Sequence, residues 1–581
     1  MTRNNTAAES GPENVTEATG LLRDGTQNDT PDNDVWVGAI DYEGLPWWKT
    51  PSVWFLLAPY ALFTLAFGGT VVPKLNIILE LVCSRYFADR SATDPTFPFT
   101  PVVPGEDNNQ CFIPEVQSSV ATFMLVLNVT TGILSCLTAP KLGSLSDRYG
   151  RKLMLTVCAL GGIANEIVTI FAAKFPDTVH YRWLILGAAL DGLTGSFTAG
   201  SILIHSYTSD CTPPSKRGVR IGYLHSCLFI GLSFGPLIAG YLAEWTGSLL
   251  SIFYVTLACH TFWVISMAFI TPESLSKKRQ LLAREKYEIE QESRRPAPGA
   301  ADYISERIPF GKHINSGIYT LRNQNPFAPL NILFPKDSKL RRNLLILALV
   351  DMILLGTAMS SGTVILLYVE YMFEWRNLES SRFLSLVSMV RVVVLLAIFP
   401  IITYFFRTRR LAKIRRESNV PLVEKNAGAD GFDIWVLRGA IFSDVVGITG
   451  YIFVRKASLF VCCAIITAFG GLGSATIQAA LSKHVPAERV GQLLGGIGLL
   501  HSLARVGGPI LFNGIYAATV KSFPQAFFVM LSSLFAMTLI ASLFLKPGVY
   551  MTEDTPASHG NGIGEGERDA LEDDELLPRA A

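Results

Sequence analysis

The sequence predicts an all-α membrane protein with twelve transmembrane helices in two six-helix bundles related by pseudo-two-fold symmetry. Of its 581 residues, 49% are hydrophobic and 17% are charged, a balance typical of chains with many membrane spans. The long apolar runs satisfy the bilayer's requirement of about 20 apolar residues. Gly235-Pro236 and Gly508-Pro509 fall at equivalent places in the fifth and eleventh runs, as an internal duplication predicts.

The chain divides into five predicted regions. They are a disordered cytoplasmic N-terminal tail (1–49), an N-terminal bundle (50–275), a cytoplasmic central loop (276–342), a C-terminal bundle (343–546) and an acidic cytoplasmic C-terminal tail (547–581). The cytoplasmic assignments follow from loops rich in Lys and Arg. The fifth span contains Gly222 and Gly240, and the others are predicted at 53–81, 120–139, 153–173, 183–207, 252–270, 344–371, 383–406, 434–454, 459–481, 491–520 and 526–545.

A short charged segment separates the second and third apolar runs. It places two glycines, one carboxylate and three bases within ten residues: Gly143, Asp147, Arg148, Gly150, Arg151 and Lys152. Bases at this position would anchor a cytoplasmic turn at the lipid headgroups. That interpretation explains the bases, but it leaves the carboxylate and the glycines unexplained.

This segment resembles the loop signature of the major facilitator superfamily, written G-x-L-x-D-R-x-G-R-K-x-x-L. Leu145 and Leu155 extend the match on either side of the charged residues. The resemblance implies a cytoplasmic latch, in which Asp147 faces a helix end of the other half and Arg151 supports the closed conformation. Arg438 and Arg505 are the predicted gate partners of Asp147. The matching turn between the eighth and ninth spans keeps its bases but lacks the aspartate, which predicts a one-sided latch.

The fifth span carries a second motif: Gly222, Gly231, Gly235, Pro236 and Gly240. This spacing resembles the antiporter signature of the same superfamily, although Ala239 stands where a glycine is usual. The resemblance implies proton-coupled export. The alternative interpretation is close helix packing, because glycines allow a neighbouring backbone to approach.

Five charged residues lie inside apolar runs and are candidates for carrying protons or contacting substrate: Asp191, Glu166, Asp351, Arg391 and Asp444. Such groups are costly in lipid, so each is expected to face the protein interior or a water-filled cavity. Asp191 is either a proton carrier or an interhelical hydrogen-bond anchor, and Arg391 either faces a cavity or forms a fixed ion pair. Lys74 and Glu80 are expected at the external interface, with a buried pair that lines a cavity as the alternative, and His205 is expected near the cytoplasmic interface.

The nine cysteines are scattered, and their spacing predicts no metal site and no cofactor. Cys83 and Cys111 bracket a Pro-rich loop that is expected outside the cytoplasm. An oxidising compartment would allow them to form a disulfide.

We therefore expect a secondary active transporter that works by alternating access, most simply a proton-coupled exporter of a small organic solute. The chain also resembles tetracycline-exporter-related carriers, a branch with proton-coupled folate importers, so a proton-coupled symporter is an alternative. A non-transporting receptor or scaffold with this fold is another. No cluster predicts an enzyme or a nucleic-acid partner, and a functional monomer in the bilayer is expected. Acidic dileucine patterns at 17–22 and 572–577 favour a vacuolar or endosomal membrane, with the plasma membrane as the alternative.

Overall fold

The computed structural model describes residues 41–93, 109–176, 178–293, 328–373, 375, 377–418, 426–519 and 522–551. Within these ranges all regular secondary structure is helical, as the sequence predicts. Ten of the described helices are long and apolar enough to cross a membrane. Both dileucine patterns and most of the predicted tails lie outside the described residues.

Seven helices form the N-terminal half: α1 (Trp54–Thr93), α2 (Pro114–Tyr149), α3 (Arg151–Lys174), α4 (Leu184–Leu193), α5 (Ser196–Asp210), α6 (Arg217–Thr246) and α7 (Leu250–Ile265). A π-helical turn extends α7 to Ile270. Only Gly150 separates α2 from α3, and its φ of +100° is a conformation that glycine adopts without strain. The polar helix α8 (Lys277–Ser293) follows this half.

The C-terminal half begins with α9 (Ser338–Phe373). It continues with α10 (Asn377–Val393), α11 (Phe399–Thr403), α12 (Arg409–Ser418), α13 (Gly431–Phe453), α14 (Ala457–Ala468), α15 (Gly471–Lys483), α16 (Val490–Thr519) and α17 (Ala526–Ser542). Two π-helical turns join α10 to α12 through α11. Pro400 lies in α11, and its missing N–H interrupts the regular hydrogen-bond ladder there.

The fourth predicted span, 183–207, is helical but is not one continuous helix. The chain breaks into α4 and α5 because Gly195 and Ser196 take φ values of +88° and +55°. The last apolar helix, α17, has 17 residues and is shorter than the ten long spans. The count of twelve spans therefore stays a prediction.

The two halves meet mainly along three pairs of helices. α2 packs against α16, and α6 packs against α10 and α15. Close approach of α2 and α16 depends on glycine, because a Cβ at Gly143 would collide with the backbone of Gly491 and Gly495. The two halves therefore approach each other closely at the end of the helices near residues 143–152, which we call the latch end.

Candidate functional site

At the latch end, Asp147 joins the two halves. Its Oδ1 accepts a hydrogen bond from the Gly491 amide (3.0 Å), and its Oδ2 accepts one from the Gln492 amide (2.7 Å). Both amides lie in the first turn of α16, where unpaired N–H groups and the helix dipole favour a carboxylate. The sequence resemblance placed Asp147 against a helix end of the other half, and the contact has that form.

Arg151 is fully buried and holds two carboxylates together. Its Nη1 lies 2.5 Å from Asp147 Oδ1, and its Nε donates to Asp210 Oδ2 at 2.8 Å. Ser146 Oγ accepts a third hydrogen bond from Nη1 at 2.6 Å. Sequence reasoning missed Asp210, although an acid at the start of an otherwise basic turn was a usable signal.

The Glu273 carboxylate caps the N-terminus of α3. Its carboxylate accepts hydrogen bonds from the amides of Arg151 (2.8 Å) and Lys152 (3.2 Å), which α3 itself leaves unpaired. Burial raises the pKa of Glu273, although the backbone donors act in the opposite direction. A Cβ at Gly150 would collide with this carboxylate, so the glycine is needed for space as well as conformation.

Helix α8 packs against the segment around Arg148 at the latch end. The Arg148 guanidinium lies 3.8 Å from the centre of the Tyr287 ring, and Arg284 Nε donates to Arg148 O at 2.8 Å. The central-loop helix is therefore a structural part of the latch end.

Neither predicted gate partner of Asp147 contacts it. Arg438 donates to Ser542 O at 3.0 Å, inside the C-terminal half. Arg505 donates to Ser196 Oγ at 3.4 Å. Fifteen residues separate Arg505 from Val490 at the start of α16, a rise of about 22 Å along the helix. The sequence therefore identified α16 correctly as a helix that meets Asp147, but the contact is made by backbone amides of α16 and not by Arg505.

A cavity of about 290 Å³ opens beyond the latch, mostly within the N-terminal half. Its lining includes two of the candidate carboxylates, Asp191 and Glu166, together with Lys74 and Arg505. Aromatic side chains form much of the remaining wall: Tyr60, Phe63, Phe67, Phe197 and Trp263. Lys74 lines the cavity, which favours the cavity-lining alternative for this residue over a position at the external interface.

Two cavity side chains have buried polar atoms without a hydrogen-bonding partner among the described residues. They are Glu166, through Oε2, and His260, through both ring nitrogens. The His260 ring also packs against Phe63 in a tilted arrangement, with 4.6 Å between the ring centres. Buried polar atoms normally have partners, so these atoms are available to a solute or to water. Nothing in the sequence pattern had distinguished His260.

Asp191 and Arg505 face each other across the two halves. Ser196 is a hydrogen-bonding neighbour of the Asp191 carboxylate and also accepts from Arg505. Asp191 is the carboxylate that interacts electrostatically with Arg505. An ionised Asp191 therefore contributes an attraction between the halves that a protonated Asp191 would lack.

The other predicted charges lie elsewhere. The Arg391 guanidinium is 5.1 Å from the Phe229 ring centre in the opposite half, and Asp444 is its carboxylate neighbour. Asp351 accepts from Gln478 Nε2 at 2.8 and 3.0 Å and lies 2.6 Å from His501 Nε2. The five candidates thus occupy three separate places.

Some of the glycines in the fifth-span motif pack closely against a neighbouring helix, and others do not. A Cβ at Gly231 would collide with the Thr64 backbone, and one at Gly235 would collide with Gly69. Gly222 faces Phe399 of the other half, whereas a Cβ at Gly240 would meet nothing within 4 Å.

Far from the latch end, Cys83 and Cys111 are joined as a disulfide, with a Cα–Cα distance of 5.5 Å.

The family model described as Major Facilitator Superfamily matches residues 86–418. Among curated proteins, the chain is 28% identical to an MFS-type transporter, avaJ, of Aspergillus versicolor, over 86% of this chain and 89% of that protein. It is 24% identical to the class H tetracycline resistance protein of Pasteurella multocida, over 74% and 88%. It is 21% identical to the proton-coupled folate transporter of Rattus norvegicus, over 72% and 78%.

The fold also matches a solved structure. The human organic anion transporter MFSD10 aligns with a TM-score of 0.56 and 16% identity, over 86% of this chain and all of that chain. At this identity the likeness concerns the fold.

Proposed function

Because the chain belongs to the major facilitator superfamily, we propose that it is a secondary active transporter that exports a small organic solute in exchange for protons. The observation that carries this proposal is the cavity, which combines two carboxylates, two bases and an aromatic wall. A secondary transporter needs a site between two halves that can rock against each other. The chain is not an enzyme.

In this proposal, twelve spans form two six-helix bundles, and the latch end faces the cytoplasm. The surplus of Lys and Arg in the loops at that end supports the orientation, which also puts both termini in the cytoplasm. The regions keep the boundaries given above, with 276–342 as the tether between bundles. The functional unit is a monomer in a vacuolar, endosomal or plasma membrane.

The latch holds the transporter closed toward the cytoplasm. Asp147 can reach the amides of α16 only while the ends of α2 and α16 stay together. Arg217 adds a second tie, donating from α6 to Asn426 Oδ1 at 3.1 Å and to Ser482 Oγ at 3.3 Å. Opening toward the cytoplasm must break both contacts.

Asp191 carries the proton, with Glu166 as its neighbour in the same cavity. When Asp191 is ionised, its attraction to Arg505 favours the conformation seen here. Protonation removes that attraction and lets the halves separate. A solute that contacts Glu166 and His260 would use the buried polar atoms that have no partner among the described residues. Gly231 and Gly235 let α1 and α6 move as one packed pair.

Two other functions make predictions that differ from those of proton-coupled export. Similarity to a proton-coupled folate transporter favours symport as the second candidate, and in that case solute and protons move in the same direction. A receptor or scaffold would have no need for a gate or for charged groups in a cavity, so it predicts no solute flux.

The test is solute flux in proteoliposomes with an imposed proton gradient, across a panel of organic anions, cations and neutral compounds. We expect flux that disappears when the gradient is collapsed and that is lost in Asp191→Asn. Asp89→Asn is the matched control, because Asp89 pairs with Arg85 on an exposed surface away from the cavity. The direction of flux relative to the gradient separates exchange from symport. Gradient-driven flux that survives in Asp191→Asn would overturn the assigned proton carrier.

A further inference from the structure

The helix of the eighth predicted span continues beyond its apolar part as a strongly basic segment. Six of the ten residues from 407 to 416 are Lys or Arg. A candidate membrane span runs over Arg382–Lys413, and α12 carries the helix on to Ser418 after the second π-helical turn. The bases therefore leave the bilayer on a helix at the latch end, and not on an irregular loop.

Exposed aromatic side chains mark the depth at which this segment meets lipid. Tyr404, Phe405 and Phe406 on this helix and Trp435 on α13 are each more than half exposed. The rings of Phe406 and Trp435 pack together, with 5.9 Å between their centres. Tyr and Trp gather at the level of the lipid headgroups. Arg409 follows Tyr404 by five residues, a rise of about 8 Å along the helix, which places Arg409 in the headgroup layer.

The bases of this segment differ in whether a protein carboxylate already neutralises them. Arg407 pairs with Asp430 at 2.6 Å and with Asp433 at 3.1 Å, so these two acids are engaged inside the C-terminal half. Arg409 and Arg410 are exposed, and neither has an ion pair or side-chain hydrogen bond with any residue. Two adjacent guanidinium groups thus face the headgroup layer without a counter-ion from the protein.

We propose that Arg409 and Arg410 form a binding site for the phosphate headgroup of an anionic phospholipid in the leaflet at the latch end. A guanidinium presents its N–H groups in a fork that matches two phosphate oxygens. Two adjacent arginines can therefore hold one headgroup, while its acyl chains lie along the exposed rings of Phe405 and Phe406. A zwitterionic headgroup carries its own cation, so a headgroup with net negative charge is preferred.

The position of the two arginines favours a lipid over a soluble phosphate compound. Charged groups directly beside an exposed aromatic surface match a ligand that has a charged head and apolar chains. In the proposed orientation this is the cytoplasmic leaflet, whose anionic lipids attract basic segments next to a span. Bases that only oriented the chain during insertion would need no bound lipid. A lipid preference in the folded protein therefore separates the two roles.

Quenching of Trp435 fluorescence by brominated lipids tests the proposal. The full-length protein is reconstituted in phosphatidylcholine bilayers with increasing fractions of brominated phosphatidylserine or, in parallel, of brominated phosphatidylcholine. Subtracting the signal of Trp435→Phe isolates Trp435, which packs on Phe406, three residues before Arg409. One base near an anionic surface is worth about fivefold in affinity. We expect half-maximal quenching at an at least about fivefold lower fraction of the brominated phosphatidylserine.

Three double variants locate the site. Changing both Arg409→Gln and Arg410→Gln should make the two half-quenching fractions equal. Changing both residues to Lys should keep most of the preference, because the charge remains. The matched control combines Arg455→Gln with Lys456→Gln, which removes two exposed bases from the opposite end of α13 and should behave as wild type.

Equal half-quenching fractions for the two lipids in the wild type would overturn the proposal. So would a preference that persists in the Gln double variant or that is lost equally in the control. Loss of the preference in buffer with inorganic phosphate, but not with chloride at equal ionic strength, would assign the site to free phosphate. Should the Gln double variant fail to fold, a wild-type preference that salt does not weaken contradicts binding by exposed arginines. No flux is measured, so failure of proton-driven transport would leave this result unchanged.

Discussion

Two buried charge clusters stand at the latch end, one in each half, and they do different things. In the N-terminal half Arg151 lies between Asp147 and Asp210. In the C-terminal half Asp433 lies between Lys483 and Arg407, with 3.1 Å to Arg407 Nη1. The first cluster has one base shared by two acids. In the second, Asp433 is shared by two bases, and Arg407 also pairs with Asp430 at 2.6 Å.

The acids of the two clusters differ in where their remaining oxygen contacts go. Asp147 reaches across to the amides of α16 in the other half. Asp433 instead stays within its own half, where it forms a capping box with Asp430 at the start of α13. Burial, reinforced by the neighbouring Asp433 charge, raises the pKa of Asp430. In the proposed mechanism the N-terminal cluster therefore acts on the gate, because Asp147 contacts the opposite half.

The largest expected effect is on stability, in Asp433→Asn. Lys483 is buried, and it would lose its charged partner, a change that typically costs about 3–5 kcal/mol. We expect a lower thermal unfolding midpoint in detergent, while exchange at the Gly491 and Gln492 amides of the folded protein stays as in wild type. Faster exchange at those amides would show that the second cluster also holds the gate.

The next effect is on the gate, in Asp147→Asn. Gly491 and Gln492 would lose a charged acceptor, and hydrogen bonds to charged groups are worth about 1.5–3 kcal/mol each. At about 1.4 kcal/mol per tenfold, we expect exchange at these amides to rise at least tenfold. Asp433→Asn is the matched control, since it removes one buried aspartate charge from the other half. Equal exchange at the Gly491 and Gln492 amides in Asp147→Asn and Asp433→Asn would show that the two clusters do not differ in how they hold the halves together.

The two charge clusters also differ in how far each could be predicted from the sequence. The apolar runs and the charged segment at 143–152 predicted the helical membrane fold and the meeting of Asp147 with a helix end. Both depend on residues that are close in sequence or on a known motif. A one-sided latch was also predicted, because the turn after the eighth span lacks an aspartate. That prediction considered one loop, whereas Asp433 and Lys483 supply the second cluster from other helices.

The cavity could be predicted only in part, for the same reason. Asp191 and Glu166 stand out because a carboxylate in an apolar run is costly. Lys74, His260 and Arg505 join them only through the packing of α1, α7 and α16. Likewise, the break at Gly195 is what places Ser196 beside Asp191. Periodicity cannot report which helix faces meet, so these groupings had no sequence signal.

The smallest effect expected concerns Glu273, which supports the N-terminal cluster without belonging to it. Its pKa is raised in the folded protein, so ionisation is less favourable there than in the unfolded chain. The stability that this difference contributes is fully present below the ordinary glutamate pKa, and it is lost as the pH rises through the raised value.

Glu273→Gln removes the titration and keeps one oxygen, which can still accept from the Arg151 amide, whereas the Lys152 amide loses its acceptor at every pH. We therefore expect the wild type to exceed the variant in unfolding midpoint at acid pH. The margin should shrink as the pH approaches neutrality, by no more than about 1.4 kcal/mol for each unit of pKa shift. Unfolding midpoints of both proteins between about pH 4 and about pH 7 would measure this. A margin that grows with pH would mean that the amides of α3, rather than burial, dominate the environment of Glu273.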